Sequence, residues 1–484
     1  MNRRDVVIVG CGPTGMMLAA ELRLAGIDPL VVERRETQDL AGSRGGGFHA
    51  RTIEVLDQRG VADRFLAEGT RIERAMLGAT SLDLGVLPSR HPYTLALFQN
   101  HVERILAGWL EELGVAIRRG VDVEGVSQDD DGADVRLASG ETLRAGYVVG
   151  ADGGRSVVRR SVGIELAGPD ATRSSLIAEV QATEELPTAG KVDDRGVHGL
   201  HRMDDGSVRV VVTEAEIGPS TPPTTDELRR ALTEAFGTDL GIHDPTWLSR
   251  FTDATRQATA YRDRRVLLAG DAAHVHSPTG GQGIGLGIQD AVNLGWKLAR
   301  VVRGVAGDGL LDSYHAERHP AGARALGYTM AQSLFQRADP RQEAMRDILD
   351  DLLGVREAHA RAAALVAGLD VVYDLGDGHP LLGRRMPDID LDAVDGPVRV
   401  AELLREARPL LLELGGPALG GAVPPAEADG LRHVAAKCDG HWELPVLGEV
   451  AAPSAVLVRP DGHVAWVGEG SDVGLAEALR AWRA

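Results

Sequence analysis

Val6-Val7-Ile8-Val9 is an unbroken β-branched apolar run; residues 16–22 open a second apolar run that lasts to Gly26, and Pro29-Leu30-Val31-Val32 is a third. The pattern predicts a buried strand, a turn, a helix and a second buried strand. Downstream it predicts helices over 51–57 (ending at Gly60) and 99–106, strands over 115–117 and 121–126, a hairpin through Asp130-Asp131-Gly132 to 135–137, and a strand at 147–149. From about 174 to 262 the period changes. Alternation as in Val208-Arg209-Val210-Val211-Val212, a Pro/Thr-rich loop at 219–225 and a helix over 226–236 suggest an antiparallel sheet set into the first domain. A third buried strand, Val266-Leu267-Leu268, precedes a long helix at 288–302. Residues 311–369 are helical, with a bend at Tyr314-His315-Ala316-Glu317-Arg318-His319-Pro320, where the Glu, Arg and His read as a solvated face. After a glycine-rich boundary at 376–383 come strands at 410–414 and 455–458, a Pro460-Asp461-Gly462-His463 turn and a helix at 473–482, a small α/β module of thioredoxin type. It lacks a C-x-x-C pair, because Cys438 stands alone.

The turns carry the chemistry. Gly10, Gly12 and Gly15 have G-x-G-x-x-G spacing, with Pro13 and Thr14 between them. Glycine at these positions permits a tight turn, a close approach of a pyrophosphate to backbone N–H groups, and tight helix–strand packing. Glu33 ends the second strand, where a carboxylate accepts ribose hydroxyls and disfavours a ribose phosphate, so FAD or NAD is expected before NADP. Cys11, inside the turn, reads as a small filler with no redox role. Two later strands also deliver an acid into a glycine turn: Asp152 in Gly150-Ala151-Asp152-Gly153-Gly154-Arg155-Ser156, and Asp271 after Gly270. Beyond Asp271 the loop Pro278-Thr279-Gly280-Gly281-Gln282-Gly283, followed by Ile284, runs toward a helix N-terminus whose N–H groups suit an electron-rich ring edge. Ser43-Arg44-Gly45-Gly46-Gly47-Phe48 is a mobile loop able to lie against a flat ligand, and Arg44 either holds a pyrophosphate or is a solvated arginine. His274 and His276 lack the neighbours of a metal site, so no metal is expected.

With 484 residues the chain is too long for one core. A net charge of -19 argues against nucleic acid or an anionic membrane as partner. Two cysteines exclude a disulfide framework and fit a reducing compartment. The N-terminus runs directly into the first strand, and no apolar run is long enough to span a bilayer; a cytoplasmic location is expected.

Together the Gly10–Gly15 turn with Glu33, the Asp152 turn, and the Asp271 turn with 278–283 resemble the single-component FAD-dependent aromatic monooxygenases, the para-hydroxybenzoate hydroxylase-like class. Stretches such as Trp247-Leu248-Ser249-Arg250-Phe251 and Leu382-Gly383-Arg384-Arg385-Met386 are most similar to the subgroup of actinomycete polyketide hydroxylases and rifampicin monooxygenases. The resemblance implies an α/β fold: an FAD-binding domain (1–70, 99–173, 263–310), an inserted antiparallel-sheet substrate domain (71–98, 174–262), a helical segment (311–385) and a thioredoxin-like tail (386–484). It implies that Gly10, Gly12, Pro13, Thr14, Gly15 and Glu33 hold the FAD pyrophosphate and ribose, with Arg34, Arg44 and Gln99 also contacting the cofactor. By the same resemblance Gly270 and Asp271 meet its ribityl or pyrophosphate region, Pro278, Gly280, Gly281, Gln282, Gly283 and Ile284 line the flavin, and Asp152 serves both FAD and NADPH. Many members have asparagine where this chain has Gly285.

The activity implied is hydroxylation of a bulky phenolic or naphthoquinone-type aromatic, such as an aromatic polyketide or rifamycin-like antibiotic. In that chemistry NADPH or NADH reduces tightly but noncovalently held FAD, and O₂ forms a flavin hydroperoxide. No second G-x-G-x-x-G is present, which agrees with transient docking of the reductant. No nucleophile triad or carboxylate pair appears; His49 and His276 are the candidates for a base. Rival readings are a Baeyer–Villiger oxygenase, a flavin halogenase (whose W-x-W-x-I-P stretch is missing) and a non-catalytic flavin-binding regulator. The tail either mediates a homodimer or covers the FAD domain.

Overall fold

The computed structural model describes residues 3–40, 42–43, 45–78, 80–187, 190–203, 205–415, 419, 421–425, 430–438 and 440–483. Its centre is an eight-stranded sheet in which Ala116–Arg118, Leu30–Val32, Arg4–Val9, Thr142–Gly150 and Val266–Leu268 lie side by side and parallel. Val7, Ile8, Val31, Val148, Val149, Leu267 and Leu268 are fully buried, as continuous apolar runs must be when both faces of a parallel sheet are covered. Helices Pro13–Leu24 and Gly283–Val302 pack against each other over this sheet. The second of these begins five residues earlier than the apolar periodicity predicts, at Gly283. Its first five residues carry three glycines, which weaken the periodic signal without preventing helix.

The inserted unit is a five-stranded antiparallel sheet in the order Lys191–Val192, Val197–Arg202, Val208–Thr213, Ser174–Ala182, Ile242–Thr252. Alternation decides its two faces. Leu176, Ala178, Val180, Val208, Val210 and Val212 point into a core closed by Leu228, Ala231, Leu232 and Ala235 of helix Thr225–Phe236. Ser175, Ile177, Arg209, Val211 and Thr213 point the other way, into a cavity. The helix is fixed at both ends: Thr224 and Glu227 form a capping box, and Gly237 takes the left-handed conformation, φ 83°.

Residues 71–98 do not extend this sheet. The hairpin Arg74–Leu77/Thr80–Asp83 packs through Ala75 and Leu82 on Ala362, Ala363 and Val366 of helix Arg356–Ala367, making a separate wall of the same cavity.

The solvated face expected beside Pro320 is overturned. Helix Asp312–Leu334 continues through Pro320, and Glu317 and Arg318 are buried. Arg318 Nε binds Asp290 (2.8 Å), whose other oxygen takes His274 Nε2 (2.6 Å); Glu317 takes Lys297 Nζ (2.8 Å) and both terminal nitrogens of Arg459 (2.7 Å each). Tyr314 donates to the carbonyl of Leu268 (2.8 Å). These contacts anchor the two turns before Pro320 and offset the roughly 3 kcal/mol that an internal proline costs a helix.

The tail is a six-stranded sheet, Gly396–Arg399, Asp390–Ala393, Arg432–Lys437, Leu410–Glu413, Ala455–Val458, Val464–Gly468, with one parallel pair at its centre. Its turn at 459–463 plugs into the FAD domain. Arg59 reaches the carbonyls of Pro460 (2.7 Å) and Leu404 (3.1 Å) while paired with Glu21, and Asn293 and Trp296 donate to Asp461. The tail therefore covers the FAD domain. Among the described residues no helix is long and apolar enough to cross a membrane.

Candidate active site

The first turn is closed at two glycines and open at the third. A Cβ on Gly10 (φ +106°) falls 2.3 Å from the carbonyl oxygen of Ala151, and one on Gly15 falls 2.1 Å from that of Gly10. A Cβ on Gly12 meets nothing within 4 Å. That open cradle lies at the N-terminus of helix Pro13–Leu24, whose first N–H groups have no intrahelical acceptors. Pro13 starts the helix without wasting a donor. The Thr14 side chain is turned to packing: a Cβ on Gly270 or Gly287 would come within 2.5 or 2.1 Å of its Oγ1, so three elements meet at that hydroxyl.

Glu33 Oε2 accepts the Cys11 amide (2.7 Å), and Oε1 accepts the amide (2.9 Å) and Nε (3.2 Å) of Arg35. Burial works to raise its pKa, but the two amides and Arg35 outweigh burial and hold it below the usual range. Burial pushes the Cys11 thiol up to about 11, so Cys11 stays a neutral filler. Arg34 is exposed. Its neighbour Arg35, which sequence reasoning passed over, is the connected one: Nη2 binds Glu103 (2.8 Å), which also takes Gln99 Nε2 (2.8 Å), while Nη1 is buried without a partner. Gln99 and Glu103 are four residues apart on helix Gln99–Glu112, a polar pair on its buried face beside Val102 and Leu106. That spacing was the available signal.

The glycine loop folds back on this helix, since the Gln99 amide is shared by Ser43 Oγ (3.0 Å) and the Gly45 carbonyl (3.1 Å). Arg44 lies outside the described residues. Asp152 Oδ2 caps helix Val157–Ser161 through the amides of Val157 (2.7 Å) and Val158 (3.2 Å), leaving Oδ1 buried and unpartnered. Asp271 is exposed, its Oδ1 4.0 Å from where a Cβ on Gly283 would stand. Pro278 leads into Gly280 (φ +77°) and Gly281 (φ +64°), which bend the chain into the uncapped N-terminus of helix Gly283–Val302. Gln282 points away, donating to the Val366 carbonyl (3.1 Å), so this segment presents backbone. Ile284 Cδ1 lies against Gly45. At Gly285 a Cβ would come 2.6 Å from Thr52 Oγ1; Thr52 occupies the space an asparagine would need.

Beside these backbone donors lies a cavity of about 560 Å³. Its floor is Gly46, Gly47 and the stretch from Ser277 to Gly281, its roof the outward face of the inserted sheet, and its side Met76 and Tyr328. Arg209 joins roof to floor: it pairs with Glu179 (3.1 Å), stacks 4.7 Å from the Phe98 ring centroid and donates to the Ser43 carbonyl. Of the two candidate bases, His49 has both nitrogens engaged. Nε2 lies 2.8 Å from the Gly280 carbonyl, which makes it the N–H, and Nδ1 lies 2.9 Å from Thr94 Oγ1. Burial holds it below the usual histidine range. His276 binds the Ser277 carbonyl (2.6 Å) and is not part of the cavity wall. Among the described residues no group of three or more metal-ligating side chains is found.

An FAD group fits what is present. The open cradle at Gly12, the unpartnered Oδ1 of Asp152 and Nη1 of Arg35, and the uncapped helix at Gly283 lie along one edge of the sheet's carboxyl ends. The family described as FAD binding domain matches residues 3–329, and that described as aromatic-ring hydroxylase, C-terminal, matches residues 379–484. A rifampicin monooxygenase of Streptomyces venezuelae is 43% identical over 490 residues, covering 99% of this chain and 98% of its own. The solved OxyS anhydrotetracycline hydroxylase from Streptomyces rimosus superposes with a TM-score of 0.90 at 41% identity, covering 100% of this chain and 99% of that one. A dialkyldecalin synthase of Streptomyces rugosporus is 37% identical over 486 residues, 99% of this chain and 98% of its own. Matched along nearly its whole length, the chain belongs to the FAD-dependent aromatic-ring hydroxylases and is a monooxygenase of that family.

Proposed function

We propose that the chain hydroxylates a bulky polycyclic phenol or naphthoquinone-type aromatic at the floor of the 560 Å³ cavity, with NADPH or NADH docking transiently as reductant. The observation that carries this is the cavity's position. Its floor is the backbone stretch from Ser277 to Gly281, beside the uncapped helix N-terminus, and its roof is a sheet face on which Ile177, Val211 and Phe251 lie among Ser175, Arg209 and Thr213. A cavity of that size takes a multi-ring ligand. When bound and reduced, FAD supplies the activation of O₂ for transfer of one oxygen atom to an aromatic carbon.

The amides of Gly12, Thr14 and Gly15 then hold the pyrophosphate at the helix start that Pro13 sets, with Gly270 packed beside Thr14; Glu33 takes ribose hydroxyls, Arg34, Arg44 and Gln99 are further contacts to the cofactor, and Asp271 meets the ribityl chain. Pro278, Gly280, Gly281, Gln282, Gly283 and Ile284 present backbone to the ring edge. Asp152, fixed by two helix amides, keeps Oδ1 free for cofactor or reductant. Ile177, Val211 and Phe251 give the roof its apolar part, which excludes water where an aromatic ring packs on it.

The test is to load the purified chain with FAD, follow NADPH and NADH consumption with candidate polycyclic phenols, and weigh the product. A gain of one oxygen supports the reading. Failure to take up flavin overturns it, as does a product of unchanged mass.

A further inference from the structure

Arg74, Arg173 and Arg209 line the cavity, and Asp253 is the one acid among its described lining residues. Two of the three cations are answered: Arg173 pairs with Asp253 and Arg209 with Glu179. Arg74 has no ion pair among the described residues. Its Nη1 donates to Ser81 Oγ (3.3 Å), which leaves the Nε–Nη2 edge of the guanidinium open. The acid directly across the hairpin, Asp83, is turned to the next turn of chain, where its Oδ1 accepts the amide of Gly85 (2.8 Å).

Arg74 does not stand alone on this wall. Ile72, Arg74 and Met76 are alternate residues along one extended stretch, and all three line the cavity. Ile72 is 43% and Met76 44% exposed, so the cavity opens along this strip. The strip is held in place from behind: Ala75 is buried against helix Arg356–Ala367, and the Met76 carbonyl accepts both the Tyr328 hydroxyl and Gln332 Nε2 (2.8 Å each), while Gln332 Oε1 takes the Gly78 amide. Tyr328 also touches the floor, since a Cβ on Gly280 would fall 2.8 Å from its Cε1. The Met76 end of the strip therefore adjoins the floor, and Arg74 stands about 7 Å from it along the strand. Two large apolar side chains left open on either side of an unanswered, pre-positioned guanidinium match an aromatic ring that bears an acid.

We propose that the opening of the cavity is a subsite for the far end of the substrate: a fixed carboxylate, on a ring other than the one hydroxylated, takes the Nε–Nη2 edge of Arg74 while that ring packs on Ile72 and Met76. This rests on the cavity being the hydroxylation site. It makes the substrate an elongated aromatic acid gripped at the end that does not react, and it assigns Arg74 to substrate specificity with no part in the oxygen transfer.

The full chain, FAD-loaded and FAD-free, is titrated at pH 7.5 with 6-hydroxy-2-naphthoic acid and with 6-hydroxy-2-naphthamide, which has the same phenol and no charge; binding is read from the naphthol fluorescence. The acid binds at least about fivefold more tightly than the amide, the gain of a bidentate charge-assisted contact at a partly exposed site. Arg74→Gln abolishes that preference by weakening the acid alone, with Tm unchanged. Equal affinities in the parent, binding of neither probe, or an Arg74→Gln chain that keeps the preference or weakens acid and amide alike overturns the proposal. Hydroxylation of polycyclic phenols that ignores both the acid and Arg74 also sinks it while leaving the hydroxylase reading intact. Failure to take up flavin strikes that reading alone, because the titration of the FAD-free chain still decides the subsite.

Discussion

Two charged regions of this molecule are built in opposite ways. At the tail junction, Lys297, Glu317, Arg459, Asp461 and His463 are all nearly fully buried, and each is tied to another member. On the cavity wall, Arg173 and Arg209 are each paired with an acid, whereas Arg74 meets only Ser81 among the described residues. A closed network satisfies its charges from within and so holds domains together; an incomplete one leaves a vacancy for a ligand's charge. The junction also shows that burial and pairing compete. Burial lowers Lys297 to about 8 in spite of Glu317, whereas Arg459 and Lys297 outweigh burial at Glu317 and hold it to about 2.

The sharpest way to break this contrast is to delete one charge from each region. Arg459→Ala strands Glu317 and Asp461 and is expected to cost about 3–5 kcal/mol, read as a large fall in Tm or loss of soluble protein. Arg74→Gln is expected to stay within about 0.5 kcal/mol of the parent. Comparable Tm values for the two variants would dissolve the distinction.

The same logic separates the glycines of the first turn. Gly12→Val fills only the open cradle, so Tm without cofactor is unchanged while flavin affinity falls by at least about tenfold, roughly 1.4 kcal/mol. Gly10→Ala drives a Cβ onto the Ala151 carbonyl at a positive φ and lowers Tm whether or not flavin is present.

Acid should attack the junction. His463 is buried and pushed down to about 4, so between about 6.5 and 4 the unfolded chain holds a proton that the folded chain does not, and stability falls as pH drops through that window. Glu317 adds a further loss between about 4.5 and 2. Melting curves from pH 7 to 4 should show Tm declining, with His463→Gln flattening the upper part; a flat parent curve would mean that the network does not constrain the fold.

The smallest effect concerns Gly285. Gly285→Ala should cost about 1 kcal/mol by crowding Thr52 Oγ1, and Thr52→Ala in the same chain should return most of it.

Much of the fold was legible because its signals are local. The apolar run at Val6-Val7-Ile8-Val9, the glycine spacing and Glu33 all fall within about one βαβ unit, and alternation at Val208-Arg209-Val210-Val211-Val212 announced a two-faced sheet. The misreadings came where the partner is far away. Glu317 and Arg318 look like a solvated stripe until Arg459, 142 residues on, and Asp290 fold against them. Arg35 looked no different from Arg34 until Glu103 met it across the strand edge.

What the chain's order of residues determined by itself is the cofactor cradle, because backbone conformation and hydrophobic period act over a few residues and glycine leaves little choice at Gly10. What only the tertiary structure decided is which charges are answered and which are left waiting. Electrostatic compensation depends on distance in space, and the pairing of Arg459 with Glu317 does not exist before the domains close.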